Sequence, residues 1–187
     1  MTSQFAAKEN LTIKDFPFQT FDKIRYGDTD RQGHVNNAAF STFLETGRVE
    51  FLYDPQSPLA AEEAAFVIVK LNLDLLAEIN WPGRVEIGTA VTKVGNSSVS
   101  LYQGLFQDGR LVAAAETVIV QMNEQTRKSH PLTDKAKAFL LQYKNNPRRS
   151  CHTGDCLPGV KKKANCTARY LQFSIPQCKN TEETKWR

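Results

Sequence analysis

The chain has little cysteine and no long hydrophobic run. Its four cysteines all lie near the carboxyl end, at positions 151, 156, 166 and 178, so the first 150 residues contain no thiol. A disulfide scaffold distributes its bridges through the core, so this distribution predicts a reducing compartment, with the cytoplasm favoured and an organelle left open. No stretch approaches the roughly 20 apolar residues of a membrane helix, and residues 1–10 lack a signal-peptide pattern. We therefore predict no stable membrane insertion.

Basic charge is concentrated in the last part of the sequence. Residues 146–187 contain nine Lys or Arg and three acidic residues, a surplus of +6 in a chain whose net charge is +4. Residues 1–145 therefore carry about −2 and lack the basic surface that phosphate backbones require. Nucleic acid is excluded as a predicted partner. The tail cysteines lack the close Cys-x2-Cys pairs of ordinary zinc sites, so we predict no metal and no other cofactor.

Alternation of apolar and polar residues predicts five strands. The first covers residues 16–26, and the other four cover residues 65–79, 85–94, 99–106 and 111–122. Turn residues separate the last four, among them Asp108-Gly109, a strong hairpin signal. Because no helix intervenes between these four strands, we predict an uninterrupted antiparallel meander.

Two segments instead repeat apolar residues at steps of three and four. A helix of about four turns is predicted from Asn37, with an Asn cap and a broad apolar surface that packs against the sheet. Gly47 within it predicts close approach to a strand. A second, short helix is predicted at residues 132–143.

These elements predict an α+β domain, in which a long buried helix lies on a curved antiparallel sheet of about five strands. The predicted domain covers residues 16–145. It follows a leader, residues 1–15, and precedes the basic, Cys-containing tail, residues 146–187, for which we predict disorder.

The segment between the first strand and the long helix carries the chemistry. It reads Tyr26-Gly27-Asp28-Thr29-Asp30-Arg31-Gln32-Gly33-His34-Val35-Asn36-Asn37. It resembles the signature of hotdog-fold thioesterases of the 4-hydroxybenzoyl-CoA thioesterase type: an aromatic residue, Asp-x-Asp, a Gly and, in many acyl-CoA and acyl-carrier-protein members, His-Val-Asn-Asn. The predicted strand order resembles that fold as well, over residues 16–143.

The resemblance implies that Asp30 is the catalytic aspartate, acting either as nucleophile or as general base toward water. A carboxylate beside a helix N-terminus stays ionised, and free N–H groups near residues 36–38 can stabilise an oxyanion. His34 is a second catalytic candidate, unless it only braces the loop. Substrate contacts are implied for four further residues: Gly33, Val35, Asn36 and Asn37.

Other polar residues have a structural as well as a functional interpretation. Asp28 is interpreted as turn-forming and Asn36 also as a helix cap. Glu45 is a reserve catalytic residue, because some hotdog thioesterases use a helix glutamate, but with Arg48 it also makes an ordinary helix pair. Three further residues, Asn96, Ser97 and Ser98, resemble the stretch where related enzymes bind the pantetheine or nucleotide part of CoA. A simple turn would also explain them.

The predicted function is hydrolysis of an acyl-CoA or acyl-carrier-protein thioester to free acid and thiol. The resemblance implies a homodimer or homotetramer that buries the acyl chain at subunit contacts. A non-catalytic acyl-CoA binding module is the main alternative, since it would keep the fold. A hotdog hydratase is disfavoured because the sequence lacks the Asp-x-Asn-Pro-x-His pattern. The acyl group itself is not predicted.

Overall fold

The structure, a computed structural model of the chain, describes residues 11–55 and 58–145. The predicted tail, residues 146–187, and the first ten residues of the predicted leader lie outside this part of the chain. The alternating segments form five strands: β1 (Phe18–Lys23), β2 (Ala64–Leu75), β3 (Arg84–Val94), β4 (Ser98–Gln107) and β5 (Arg110–Asn123). They form one antiparallel sheet in the order β1-β3-β4-β5-β2.

The predicted four-strand meander is wrong at β2. Only β3, β4 and β5 pair in sequence order, whereas β2 pairs with β5 at the opposite edge of the sheet. The strand ends at Leu75, before the predicted end, because the N–H groups of Leu76 and Ala77 both bond to the carbonyl of Val112. Residues 76–83 then cross the end of the sheet to reach β3. Eight extended residues reach about 26 Å, more than the about 14 Å of three strand spacings.

The long helix, α1 (Asn37–Leu52), lies on one face of this sheet, as predicted. Asn36 is its N-cap, and its side chain accepts a hydrogen bond from Ala38 N at 3.0 Å. Gly47 permits close packing, since a Cβ there would lie 2.6 Å from Ile87 Cγ2. The buried face of the helix consists of Phe40, Phe43, Leu44, Gly47, Arg48, Phe51 and Leu52.

The other face of the sheet is covered by the residues that precede β1. Phe16 is 1% exposed and stacks on Tyr102, with ring centroids 6.0 Å apart. Gly88 makes room for it, since a Cβ there would lie 2.4 Å from the Phe16 ring. Leu11 is buried in the same cluster, so the packed part of the chain begins before residue 16.

A second helix, α2 (Asp134–Gln142), forms as predicted. Thr133 caps it by accepting a hydrogen bond from Ala136 N. Ala136 and Leu140 pack into the core beneath the C-terminal end of α1. No helix in the described ranges is long and apolar enough to cross a membrane.

Candidate active site

The motif loop between β1 and α1 is a small closed hairpin. Asn36 N donates to Asp28 O and Asp30 N donates to His34 O, both at 2.8 Å. A turn closes the tip, where Gly33 N donates to Asp30 O at 3.1 Å and Gly33 has a φ of 83°, which favours glycine. Asp30 is therefore the first residue of a tight turn at the tip of this loop.

A second segment ties the motif loop to the sheet. Val35 N donates to Ile79 O at 2.8 Å, and His34 forms a backbone bridge with Asn80. The side chain of Gln107, at the end of β4, holds Asn80 through both of its backbone polar groups, at 2.9 and 2.7 Å. The loop is thus fixed to a rigid strand end, as functional groups require.

Asp30 is exposed, and its carboxylate is oriented by its own turn. Gln32 N donates to Asp30 Oδ1 at 2.7 Å. The second oxygen, Oδ2, has no hydrogen-bond donor among the residues described. Asp28 behaves differently, because its carboxylate accepts a hydrogen bond from Arg25 N at 2.8 Å, which confirms its turn-forming interpretation. One oxygen of Asp30 therefore orients the group and the other is available for chemistry.

The His34 ring lies beside a carboxylate from the crossing segment. Its Nε2 is 3.6 Å from Glu78 Oε2, and its side chain is 38% exposed. The neighbouring Val35 points inward and is 4% exposed in the helix-side core. Within the described part of the chain, His34 reaches Asp30 only through the backbone bond at its carbonyl. The ring therefore does not orient the Asp30 carboxylate directly.

Few of the predicted N–H donors at the helix start are free. Asn36 N is bonded to Asp28 O, and Ala38 N is bonded to the Asn36 side chain. The N–H groups of Gly33 and Val35 are also occupied. Asn37 N, at the first position of α1, has no acceptor among the described residues. The predicted group of donors is thus reduced to one, on an exposed residue.

The predicted CoA contacts at residues 96–98 lie at the other end of the sheet. The motif loop adjoins the start of β3, whereas this turn follows its last residue, Val94. The ten residue steps of β3 span about 33 Å. Leu132 N donates to the carbonyl of Asn96, and Lys137 Nζ donates to its side chain at 3.3 Å. Within one chain, the structure does not bring Asn96, Ser97 and Ser98 to Asp30.

Glu45 and Arg48 line a cavity of about 140 Å³ between α1 and the β2 edge of the sheet. Glu45 is exposed, but Arg48 is only 6% exposed and donates a hydrogen bond to Gln103 Oε1 at 3.2 Å. Burial lowers the pKa of Arg48, and the charge of Glu45 acts in the opposite direction. The predicted ordinary surface pair does not form, because Arg48 is buried and the described residues include no ion pair between it and Glu45.

Tyr26, the aromatic residue of the motif, contacts Trp81 in the segment that crosses the end of the sheet. Tyr26 is 75% exposed and Trp81 is 46% exposed, and their ring centroids lie 5.5 Å apart. Trp81 follows Asn80, whose backbone pairs with His34. Their contact depends on the crossing segment, so no local sequence pattern signals it.

Comparison with known proteins decides the family. The family model described as "Thioesterase-like superfamily" matches residues 24–140, which include the motif loop, α1 and all strands after β1. The chain belongs to the thioesterase-like superfamily. This confirms the resemblance to thioesterases and the predicted enzyme class, a thioester hydrolase. The finer assignment to the 4-hydroxybenzoyl-CoA type stays a prediction.

Relatives of this superfamily member cover the same domain. The chain is 27% identical over 139 residues to the acyl-CoA thioester hydrolase YbgC of Escherichia coli O6:H1, a match that covers 72% of this chain and 98% of that protein. It is also similar to the Bacillus subtilis protein YsmA, at 26% identity over 137 residues, which covers 68% of this chain and 93% of that protein.

Among solved structures, the PA5185 protein of Pseudomonas aeruginosa matches with a TM-score of 0.65 and 25% identity, over 71% of this chain and 95% of that one. A predicted thioesterase from Bacillus stearothermophilus matches with a TM-score of 0.63 and 25% identity, over 70% and 98% of the two chains. These matches, with the five-stranded sheet and its helix, confirm the predicted hotdog fold.

Proposed function

We propose that this thioesterase-superfamily chain hydrolyses acyl-CoA thioesters to free acid and thiol, with Asp30 at the reacting centre. The observation that carries the proposal is an exposed, oriented carboxylate at the tip of the anchored loop together with an unbonded N–H at the start of the helix that follows it. The name of the Escherichia coli relative, an acyl-CoA thioester hydrolase, supports the substrate.

Asp30 has two routes to the same products. As a general base, its free oxygen accepts a proton from water while that water oxygen bonds to the thioester carbon. The C–S bond of the tetrahedral intermediate then breaks, and the thiolate leaves and takes up the proton. As a nucleophile, Asp30 bonds to the same carbon, releases the thiolate and is regenerated when water cleaves the mixed anhydride. Label from ¹⁸O-water in Asp30 would establish the second route, because it enters only when water attacks the aspartyl carbonyl of the anhydride.

The oxyanion of the intermediate needs a donor that is already oriented. Asn37 N lies at the start of a helix of 16 residues, where the helix dipole adds partial positive charge. Its hydrogen bond strengthens as the carbonyl oxygen becomes negative, so it stabilises the transition state more than the substrate. In this proposal, His34 contacts the substrate or its leaving group, and Glu78 holds the ring.

The predicted homodimer gains support from the edge strand β2. This strand of 12 residues lies at one edge of the described sheet, although the backbone polar groups of Phe66 are bonded to the Tyr53 hydroxyl. Such edges favour pairing with another strand. Four of its apolar side chains are exposed by 36–60%: Ile68, Val69, Leu71 and Leu75. Antiparallel pairing of two β2 strands would cover them. It would also place the 95–98 turn of a second copy at the sheet end that carries Asp30, which would reconcile the two distant predicted sites.

A lysine at the most exposed of these positions tests the dimer. Val69 is 60% exposed, so Val69→Lys leaves the monomer folded but adds like charges where two edges would meet. We expect sedimentation velocity to give a dimer or tetramer for the parent and a monomer for the variant, and we expect the variant to lose thioesterase activity. A monomeric, fully active parent would contradict the composite site.

The function itself is tested by a substrate panel. The purified chain is incubated with short, medium, long and aromatic acyl-CoAs and with acyl-carrier protein, and released thiol is measured. We expect release from at least one acyl-CoA. Tight binding of acyl-CoA without release would favour the binding module, and release only from the carrier protein would change the leaving group. The cytoplasmic location stays a prediction.

A further inference from the structure

The cavity between α1 and β2 combines an apolar lining with two opposite charges. Its apolar walls include Leu52, Phe66 and Ile119, and its charged groups are Glu45 and Arg48. At about 140 Å³ it is close to the volume of a cavity that holds one benzene molecule. It therefore has room for one segment of an acyl group.

Arg48 has more N–H donors than the residues around it have acceptors bonded to it. A guanidinium carries five N–H donors, and in the described part of the chain only Gln103 Oε1 accepts one of them. Gln103 cannot turn to give more, because its own N–H group is committed to Leu44 O and Thr89 Oγ1, at 3.1 and 3.2 Å. Arg48 lines the cavity, so an oxygen atom that enters it can accept hydrogen bonds from the remaining guanidinium donors.

The charge of Glu45 determines which kind of oxygen fits. Glu45 lines the same cavity but forms no ion pair with Arg48 in the structure as described. A carboxylate on the ligand would be attracted by Arg48 and repelled by Glu45. A neutral hydroxyl suits both residues, because it can accept from Arg48 and donate to Glu45.

We propose that this cavity receives a hydroxyl-bearing part of the acyl chain, and that Arg48 determines specificity for hydroxyacyl thioesters. The inference rests on the proposed function and adds a substrate class to it. Arg48 lies eleven residues beyond Asn37, about 16 Å along the helix axis. The hydroxyl is therefore distant from the thioester, toward the far end of the chain.

The test compares acyl-CoAs of equal chain length that end in a methyl, a hydroxyl or a carboxylate group. Arg48→Met keeps a flexible side chain of similar reach without the donors, and Arg110→Met makes the same change at an exposed position. We expect the parent to favour the terminal hydroxyl over the methyl by at least about tenfold in kcat/KM. The ratio should fall to within about twofold in Arg48→Met and persist in Arg110→Met. Equal ratios in the parent and Arg48→Met would overturn the proposal.

Glu45→Gln provides a second variant whose folding is not at risk, because the side chain is exposed. Removing its charge should raise kcat/KM for the terminal carboxylate relative to the terminal hydroxyl by several-fold. Loss of hydrolysis for every substrate would instead assign Glu45 to the chemical step and overturn its role in selection.

A binding measurement separates this inference from the proposed function. Free fatty acids of equal length, with and without a terminal hydroxyl, displace a fluorescent fatty acid from the parent and from Arg48→Met. Tighter binding of the hydroxylated acid, lost in Arg48→Met, supports the cavity even if no acyl-CoA is hydrolysed. Hydrolysis with equal binding of both acids contradicts the cavity and leaves the proposed function intact.

Discussion

The two halves of α1 present opposite environments. At its beginning, the polar groups of the motif loop are exposed and nearly all are satisfied by the backbone of the loop itself, as in the bond from Gln32 N to Asp30. In its second half, the Arg48 side chain is buried and has one hydrogen-bond acceptor in the described part of the chain. An oriented, exposed carboxylate suits a group that must meet water, whereas a buried cation with donors to spare suits a group that selects a ligand. The reacting centre thus lies at the beginning of α1, and the cavity that we propose to select the acyl chain lies along its second half.

The largest expected effect comes from removing one N–H group at the exposed end. Asn37 is the first residue of the helix, where proline is well tolerated, and Asn36 already has the extended ψ of 140° that proline requires before it. Asn37→Pro should therefore fold normally but lower kcat by about 10²–10³, measured by thiol release. Asn37→Ala, which keeps the N–H, is the control and should retain most of the activity. Equal activity of the two variants would remove the oxyanion role from Asn37 N.

A methyl group at Gly47 tests whether α1 packs so closely on the sheet that only glycine fits at this position. The added Cβ would meet Ile87 Cγ2 at 2.6 Å and Gln103 Nε2 at 3.0 Å. We expect Gly47→Ala to lower the free energy of unfolding by about 1–2 kcal/mol, because overpacking outweighs the gain in helix propensity. Urea denaturation measures this. Gly27→Ala has open space around its Cβ and should be nearly neutral. Similar stability losses in both would show that helix packing is not the cause.

The sequence predicted the features that depend on neighbouring residues. The cap at Asn36, the turn role of Asp28 and the close approach at Gly47 follow from local spacing, and the structure confirms all three. The Asp-x-Asp motif identified the loop because its residues are contiguous. The five strands were predicted because each depends on the alternation of apolar and polar residues within one short segment.

Contacts between distant segments were not predicted. The position of β2 depends on where residues 76–83 cross, and the clamp of Gln107 on Asn80 follows from that crossing. A charged residue on a helix is ordinarily predicted to be exposed to solvent, so no sequence pattern indicated that Arg48 is buried. The turn at residues 96–98 and the loop of Asp30 were both predicted to contact the substrate, although the length of β3 separates them. A sequence motif gives no information about the end of the sheet at which its residues lie.

The smallest expected effect concerns the helix cap. Asn36→Ala removes the acceptor of Ala38 N and should lower the free energy of unfolding by about 1 kcal/mol. Thiol release should change far less than in Asn37→Pro, since Asn37 N is retained. Asn36→Ser keeps a capping oxygen and should restore stability in the same urea titration. A large activity loss in Asn36→Ala at full stability would shift the catalytic role toward the cap residue.

The most direct test of the central claim compares two aspartates that lie two residues apart. Asp30→Asn and Asp28→Asn are isosteric, and in each the amide oxygen can still accept the backbone hydrogen bond from Gln32 N or Arg25 N. The account predicts that kcat/KM for the best acyl-CoA falls at least about 100-fold in Asp30→Asn, about 3 kcal/mol of transition-state stabilisation, and stays within a few-fold in Asp28→Asn. Equal rates in the parent and Asp30→Asn would contradict it.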